Sequence, residues 1–286
     1  MTRKVKIKAV GHDTIVNYPT SFEGSEVQNL IEQEVVSGYR WDVNITTGAQ
    51  EFTSRIESEL VSGLPFYLAL GSISPGINSV PCTIVPSDTL PDATIVGASE
   101  GDTLSIKGAK CDRLRLNWSA GEFVTYEAEF TGLSAGAEAI SESSDWSLIA
   151  PTGASVRVMI DGTTLDEMQS GNLEIRNNLE ARYACGKGKN PQKVREQRLE
   201  VSGAITVGQD DISKFGSGGH SLNIRINGTG TSSGYLEIRC GSIWFDELPT
   251  EFSGHDVYEV EFSWTAQPIS GGDIIKIIDN TSAKTW

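Results

Sequence analysis

Leu104-Ser105-Ile106-Lys107 followed by Tyr126-Glu127-Ala128-Glu129-Phe130-Thr131 recurs as Leu236-Glu237-Ile238-Arg239 followed by Tyr258-Glu259-Val260-Glu261-Phe262-Ser263. Both blocks keep one spacing of 132 positions, Leu104 to Leu236 and Tyr126 to Tyr258. A fixed spacing across two separated blocks marks a duplicated unit. It predicts two tandem domains, residues 1–145 and 146–286. Each half of the 286-residue chain is long enough to bury a core of its own.

Strict alternation surrounds these blocks. Val5-Lys6-Ile7-Lys8-Ala9, Leu114-Arg115-Leu116-Asn117-Trp118, Val156-Arg157-Val158, Leu173-Glu174-Ile175-Arg176 and Leu222-Asn223-Ile224-Arg225-Ile226 all run apolar and polar by turns. Period two puts one face on a core and the other in solvent, which reads as antiparallel strands. Thirty glycines punctuate them, favouring turns over long helices. The fold class is therefore mainly β, two sandwich or barrel domains, each flanked by a short helix. The first helix is expected from Thr47-Gly48-Ala49-Gln50, spaced as a capping box, and from Phe52, Ile56 and Leu60 at i, i+4 and i+8. Gly63 and Pro65 would end it. The second is expected over residues 209–215, with Ile212 and Phe215. A further match, Ile45-Thr46-Thr47-Gly48 with Ile205-Thr206-Val207-Gly208, has a spacing of 160 and implies 28 extra residues in the first half. Residues 71–91 are the expected insertion. The join falls in residues 138–152, whose composition suits either a linker or a charged strand edge.

The net charge of −15 argues against a surface that grips nucleic acid, which needs clustered Lys and Arg. It suits a surface past which nucleic acid slides, and it equally suits simple solubility. The one basic concentration is Arg182, Lys187, Lys189, Lys193, Arg195 and Arg198, spaced by glycines in an expected hairpin loop. The first half has an acidic counterpart at residues 23–40, with Glu23, Glu26, Glu32 and Glu34. Opposite charges at equivalent places would be complementary across a head-to-tail contact between copies.

Catalytic signatures are absent. No G-x-S-x-G, H-E-x-x-H or phosphate loop occurs, and Gly186-Lys187-Gly188-Lys189 lacks the P-loop spacing. Paired acids such as Glu127 and Glu129 read as a solvated strand face. Cys82, Cys111, Cys185 and Cys240 show no metal-ligand spacing, and His12, His220 and His255 add no cluster; the cysteines read as buried small hydrophobes in a reducing compartment. No catalytic, cofactor or metal site is expected, and no apolar run reaches membrane-helix length. Six scattered tryptophans keep a second class open, a β-sandwich that binds carbohydrate or decorates a virion.

Gly171-Asn172-Leu173-Glu174-Ile175-Arg176-Asn177-Asn178-Leu179-Glu180, a glycine-rich turn, then Arg198-Leu199-Glu200-Val201-Ser202-Gly203-Ala204-Ile205-Thr206-Val207 and Asp210-Asp211-Ile212 follow a familiar progression. With Leu90-Pro91-Asp92-Ala93-Thr94-Ile95 and Gly108-Ala109-Lys110-Cys111-Asp112-Arg113-Leu114, it resembles the major tail tube proteins of long-tailed, siphovirus-like viruses of bacteria and archaea. The resemblance spans residues 40 to 265. It implies a structural protein, not an enzyme, that stacks as rings into a hollow tail tube conducting the genome during ejection. Six domains per ring are usual, so duplication favours a trimer with sixfold pseudo-symmetry over a hexamer. Implied partners are further copies, tape measure and terminator proteins, and viral DNA passing without specific binding. No membrane is involved. Localisation would be the virion tail, after assembly in the host cytoplasm. Long loops and arms would lock the rings: the basic and acidic segments, and residues 270–286 with Ile274, Ile277 and Trp286 as apolar anchors.

Overall fold

A computed structural model describes residues 4–9, 12–15, 19–34, 43–76, 79–99, 102–140, 148–208, 211, 218–246, 259–268 and 272–281. The first half contains β1 (Lys4–Ala9), β2 (His12–Ile15), β3 (Pro19–Glu34), β4 (Val43–Glu59), α1 (Leu64–Leu70), β5 (Gly71–Ser74), β6 (Cys82–Pro86), β7 (Ala93–Ser99), β8 (Asp102–Ser119), β9 (Thr125–Gly132) and β10 (Ser134–Gly136). The second contains β11 (Val156–Ile160), β12 (Thr163–Thr164), β13 (Met168–Arg176), β14 (Glu180–Arg182), β15 (Lys193–Arg195), β16 (Glu200–Gly208), β17 (His220–Asn227), β18 (Tyr235–Phe245), β19 (Glu259–Ala266) and β20 (Lys276–Asp279). The chain is mainly β, as its alternation predicts. On β9, Tyr126, Ala128 and Phe130 face the core while their neighbours face outward.

The pairings of the first half recur in the second, all antiparallel. β1 joins β7 as β11 joins β17, and β7 joins β8 as β17 joins β18. β8 joins β9 as β18 joins β19, β9 joins β4 as β19 joins β16, and β4 joins β3 as β16 joins β13. The pair Cys111↔Phe130 answers to Phe245↔Trp264, each residue 134 positions on. The sequence match at 132 is thus two residues out of register. A slip of two keeps every side chain on its own face, so the alternation agrees at both spacings.

The β3–β4 hairpin answers to β13–β16 at a different spacing. Phe22↔Ile56 becomes Gly171↔Ile205, and Ile31↔Thr46 becomes Glu180↔Arg195, each residue 149 positions on. This register replaces the spacing of 160. The two spacings, 149 and 134, leave a net 15 extra residues between β4 and β8 rather than 28. α1, β5 and β6 lie in that stretch.

The expected helix through Phe52, Ile56 and Leu60 is instead the strand β4. A spacing of four also satisfies period two. Ser54 and Ser58 are buried on the same face between the apolar residues, completing a β alternation that small polar side chains disguise. The described α-helix is α1, seven residues long and wholly buried. Its residues begin where Gly63 and Pro65 were expected to stop one: Gly63 is the N-cap and Pro65 stands in the first turn, where a missing N–H costs nothing. Gly71 closes it with φ of 94°, donating to the Tyr67 carbonyl. The expected second helix lies outside the described residues except Asp211, as do residues 141–147 of the join.

One apolar core runs through both halves, from Val5, Ile56 and Phe130 to Ile224, Phe262 and Trp264. The halves are also sewn together at their sheets. β8 is 18 residues long and pairs with β7 and β10 along its first part, then with β9 and β13 along its second. β20 returns to the first half, pairing with β6 as well as β18. Its Asp279 carboxylate accepts from the Gly63 N–H at 3.0 Å, tying the C-terminal strand to the start of α1.

Candidate assembly interface

Two long two-stranded ribbons leave the sheets at equivalent places. The acidic one is the distal part of β3–β4, a regular ribbon rather than the loop its sequence suggests. Glu23 and Glu26 are exposed on it, and the Gln50 side-chain amide donates to Glu26 at 3.2 Å. Glu32 and Glu34 stand further out, opposite Ile45 and Val43 in the ladder. The basic one is the β14–β15 ribbon and its tip. Arg182, Lys187, Lys189, Lys193, Arg195 and Arg198 are all exposed. Cys185 is exposed there too, contrary to its expected burial, while Cys82, Cys111 and Cys240 are buried thiols.

The base of the basic ribbon is tied down through Asn177-Asn178-Leu179. The buried Asn177 amide donates to the carbonyls of Ala69 and Cys111, both at 2.9 Å. Ala69 lies in the last turn of α1, where carbonyls lack helical partners. Asn178 has φ of 48°, a left-handed conformation that Asn tolerates, and its amide donates to the Arg198 carbonyl at 2.9 Å. The Leu179 N–H donates to the Asp112 carboxylate at 2.7 Å. Across the stem, Glu196 takes bonds from Lys110 at 2.5 Å and the Leu90 N–H at 3.2 Å.

The tip folds back on the first half. The Gln50 N–H donates to the Lys189 carbonyl at 2.9 Å, and the Tyr183 hydroxyl donates to the Gln50 carbonyl at 2.9 Å. The arm thereby covers the β4 edge beyond the last β9 partner, Phe52↔Gly132.

The junction between the halves is the β8–β13 ladder, Arg113↔Arg176 to Ser119↔Ser170. Two like charges at its end are bridged by acids. Arg113 reaches Glu174 at 3.0 Å and Glu129 at 3.4 Å, and Glu174 also holds Arg176. Glu129, with Glu127 on Arg55 at 2.7 Å, is an ion-pair partner rather than a merely solvated face. Burial alone would push the Glu174 pKa up, but the Arg113 and Arg176 bonds outweigh it and hold it below the ordinary 4.5. This stabilisation is therefore complete above about pH 4.5, the unfolded value, and is lost as pH falls through the lower folded one. Glu174→Gln is expected to cost about 1–3 kcal/mol at pH 7. In urea titrations over pH, its deficit against the parent should shrink below the ordinary carboxylate range.

The remaining expected anchors fall elsewhere. Ile277 is fully buried in the chain's own core and Ile274 packs against that core. Trp286 lies outside the described residues. Trp118 and Trp264 are core residues, and Trp244 is exposed. Among the described residues no cluster of His, Cys, Asp and Glu could hold a metal, and no helix is long and apolar enough to cross a membrane.

The described residues thus form paired antiparallel sheets with a strand-to-strand junction between the halves and two projecting ribbons. The sequence matches the model of the phage tail tube protein family over residues 11–266, and the chain belongs to that family. It is a structural protein of the virion tail. No curated protein matches the sequence.

Proposed function

We propose that the chain is two tandem tube units, residues 1–145 and 146–286, and that three copies close one ring of a siphovirus-like tail tube. The observation that carries this is the β8–β13 ladder. β13 is the second-half counterpart of β3, and β8 the counterpart of β18. Among the described residues the β3 edge away from β4 has no strand partner. Repeating the internal junction would set the β3 edge of one copy on the β18 end of the next. That contact is heterologous, so it propagates until the rotation closes. Six like units then surround the lumen with three chains.

The ionic cluster of the internal junction has no copy on β3. Ser25 and Val27 stand 149 positions before Glu174 and Arg176. The junction between chains therefore relies on backbone pairing and apolar contact, and a ring should come apart into chains before chains unfold. The net charge of −15 supports a passive conduit, because an acidic wall repels the phosphate backbone during ejection. Length control and termination fall to tape measure and terminator proteins, with assembly in the host cytoplasm. No residue is assigned a catalytic role.

Native mass spectrometry of purified protein tests this. Three chains of 30.8 kDa give a closed species of about 92 kDa. A ring of six chains, or a closed dimer, would sink the trimer reading.

A further inference from the structure

We infer that a groove between β16 and β19 is the receptor for the distal β3–β4 hairpin of a second copy. The inference rests on the head-to-tail ring and names a contact that the ring alone does not require. Its basis is an arrangement already made once inside the chain. Beyond the last β4–β9 pair, both backbone groups of Gln50 are taken by the basic arm, through Lys189 and Tyr183.

The position equivalent to Gln50, 149 residues on, is Leu199. There the β16–β19 ladder ends at Ser202↔Thr265, and among the described residues no arm follows. In its place is a groove of about 890 Å³ walled by Leu199, Val201, Ala266, Gln267, Pro268 and Ile274. Among the described residues nothing accepts from the Leu199 N–H. An open backbone donor beside an apolar trough is the setting for an added strand.

Among the described residues one segment has the register of the arm. The β3–β4 ladder keeps one register with the β13–β16 and β14–β15 ladders, from Pro19↔Ser58 and Met168↔Val207 out to Gln33↔Asn44 and Arg182↔Lys193. Within a chain the arm of the second half reaches the first half, so the reciprocal reach to the second half must come from a neighbouring copy. One cation of the groove can take a charge from the hairpin. The hairpin carries Glu32 and Glu34 where the arm carries Ala181 and Tyr183, and the groove rim offers Arg198 where the first half has Ala49. Glu200, the counterpart of Glu51, and Asp273 line the same groove, so among the described residues Arg198 is its one cation and the group there that pairs with an acid of the hairpin. The acidic and basic segments thus serve one kind of contact twice, once inside each chain and once between chains.

Hydrogen exchange on the full chain, assembled and unassembled, tests the contact directly. Peptides spanning residues 198–202 should gain protection of about tenfold or more on ring formation, because an open N–H becomes a ladder bond. Equal exchange in rings and free chains would overturn the inference. Charge reversal gives a second reading. Arg198→Glu and Glu34→Arg should each raise the concentration needed for assembly by about tenfold while leaving the melting temperature of the free chain unchanged, and the double variant should recover much of the loss. Single variants that assemble like the parent, or a double no better than the worse single, would also overturn it. The ring reading fails separately, if the parent chain forms no three-chain ring.

Discussion

Gly203→Val should abolish the stable fold of the second half. A Cβ at Gly203 would lie 2.3 Å from the Asn172 carbonyl oxygen and 2.5 Å from Cζ2 of Trp264. Neither neighbour can withdraw. The carbonyl belongs to the paired strand β13, and Trp264 is fully buried. Overpacking of this kind typically costs about 1–3 kcal/mol, and valine adds two more methyl groups against backbone and indole. Gly203→Ala is therefore expected to lose about 2–3 kcal/mol in urea titration, and Gly203→Val to be recovered unfolded or not at all. A parent-like midpoint for Gly203→Ala would show that the strand can bow away from the indole. Gly171 plays the same part for Trp118, with Cζ2 of that ring 2.5 Å from its would-be Cβ. The glycines of Gly171-Asn172-Leu173 and Val201-Ser202-Gly203 are thus seats for two core tryptophans.

Asn177→Leu is expected to be the most damaging polar substitution. The side chain is buried, and its amide is the donor for two carbonyls, Ala69 at the end of α1 and Cys111 on β8. Leucine fills the space but leaves both acceptors without a donor, for a loss of about 2–4 kcal/mol. Asn177→Asp should be worse at pH 7, since it sets a carboxylate against two carbonyl oxygens, and should recover on acidification as the carboxyl regains a proton. Chemical denaturation of the three chains at two pH values reads both effects. If Asn177→Leu were as stable as the parent, the basic ribbon would not depend on α1 for its position.

Most of the fold was legible in residue alternation, because antiparallel strands with one wet face write their pattern directly into the chain. Three features escaped for identifiable reasons. β4 was read as a helix because Ser54 and Ser58, small and buried, interrupt its apolar face at alternate positions. α1 gave no period because all seven of its residues are buried. The Arg113, Glu129, Glu174 and Arg176 cluster was hidden because a charge that faces another strand looks, in sequence, like a charge that faces water. The basic ribbon is visible as a run of charge, and the β3–β4 ladder stands in register with it. The bonds that hold the ribbon, through Asn177, Tyr183 and Glu196, connect residues about 70 to 130 positions apart and leave no local trace.

The proposed ring, in which each contact between halves is made again between copies, rests on the recurring strand pairings and the β8–β13 ladder. Cryo-electron microscopy of the assembled tube tests that geometry most directly. The expected map has three chains and six like units per ring, with the β3 edge of each copy laid along the β18 end of its neighbour as β13 is laid along β8. A ring of six chains, or a contact between copies that bears no likeness to the β8–β13 ladder, would contradict it.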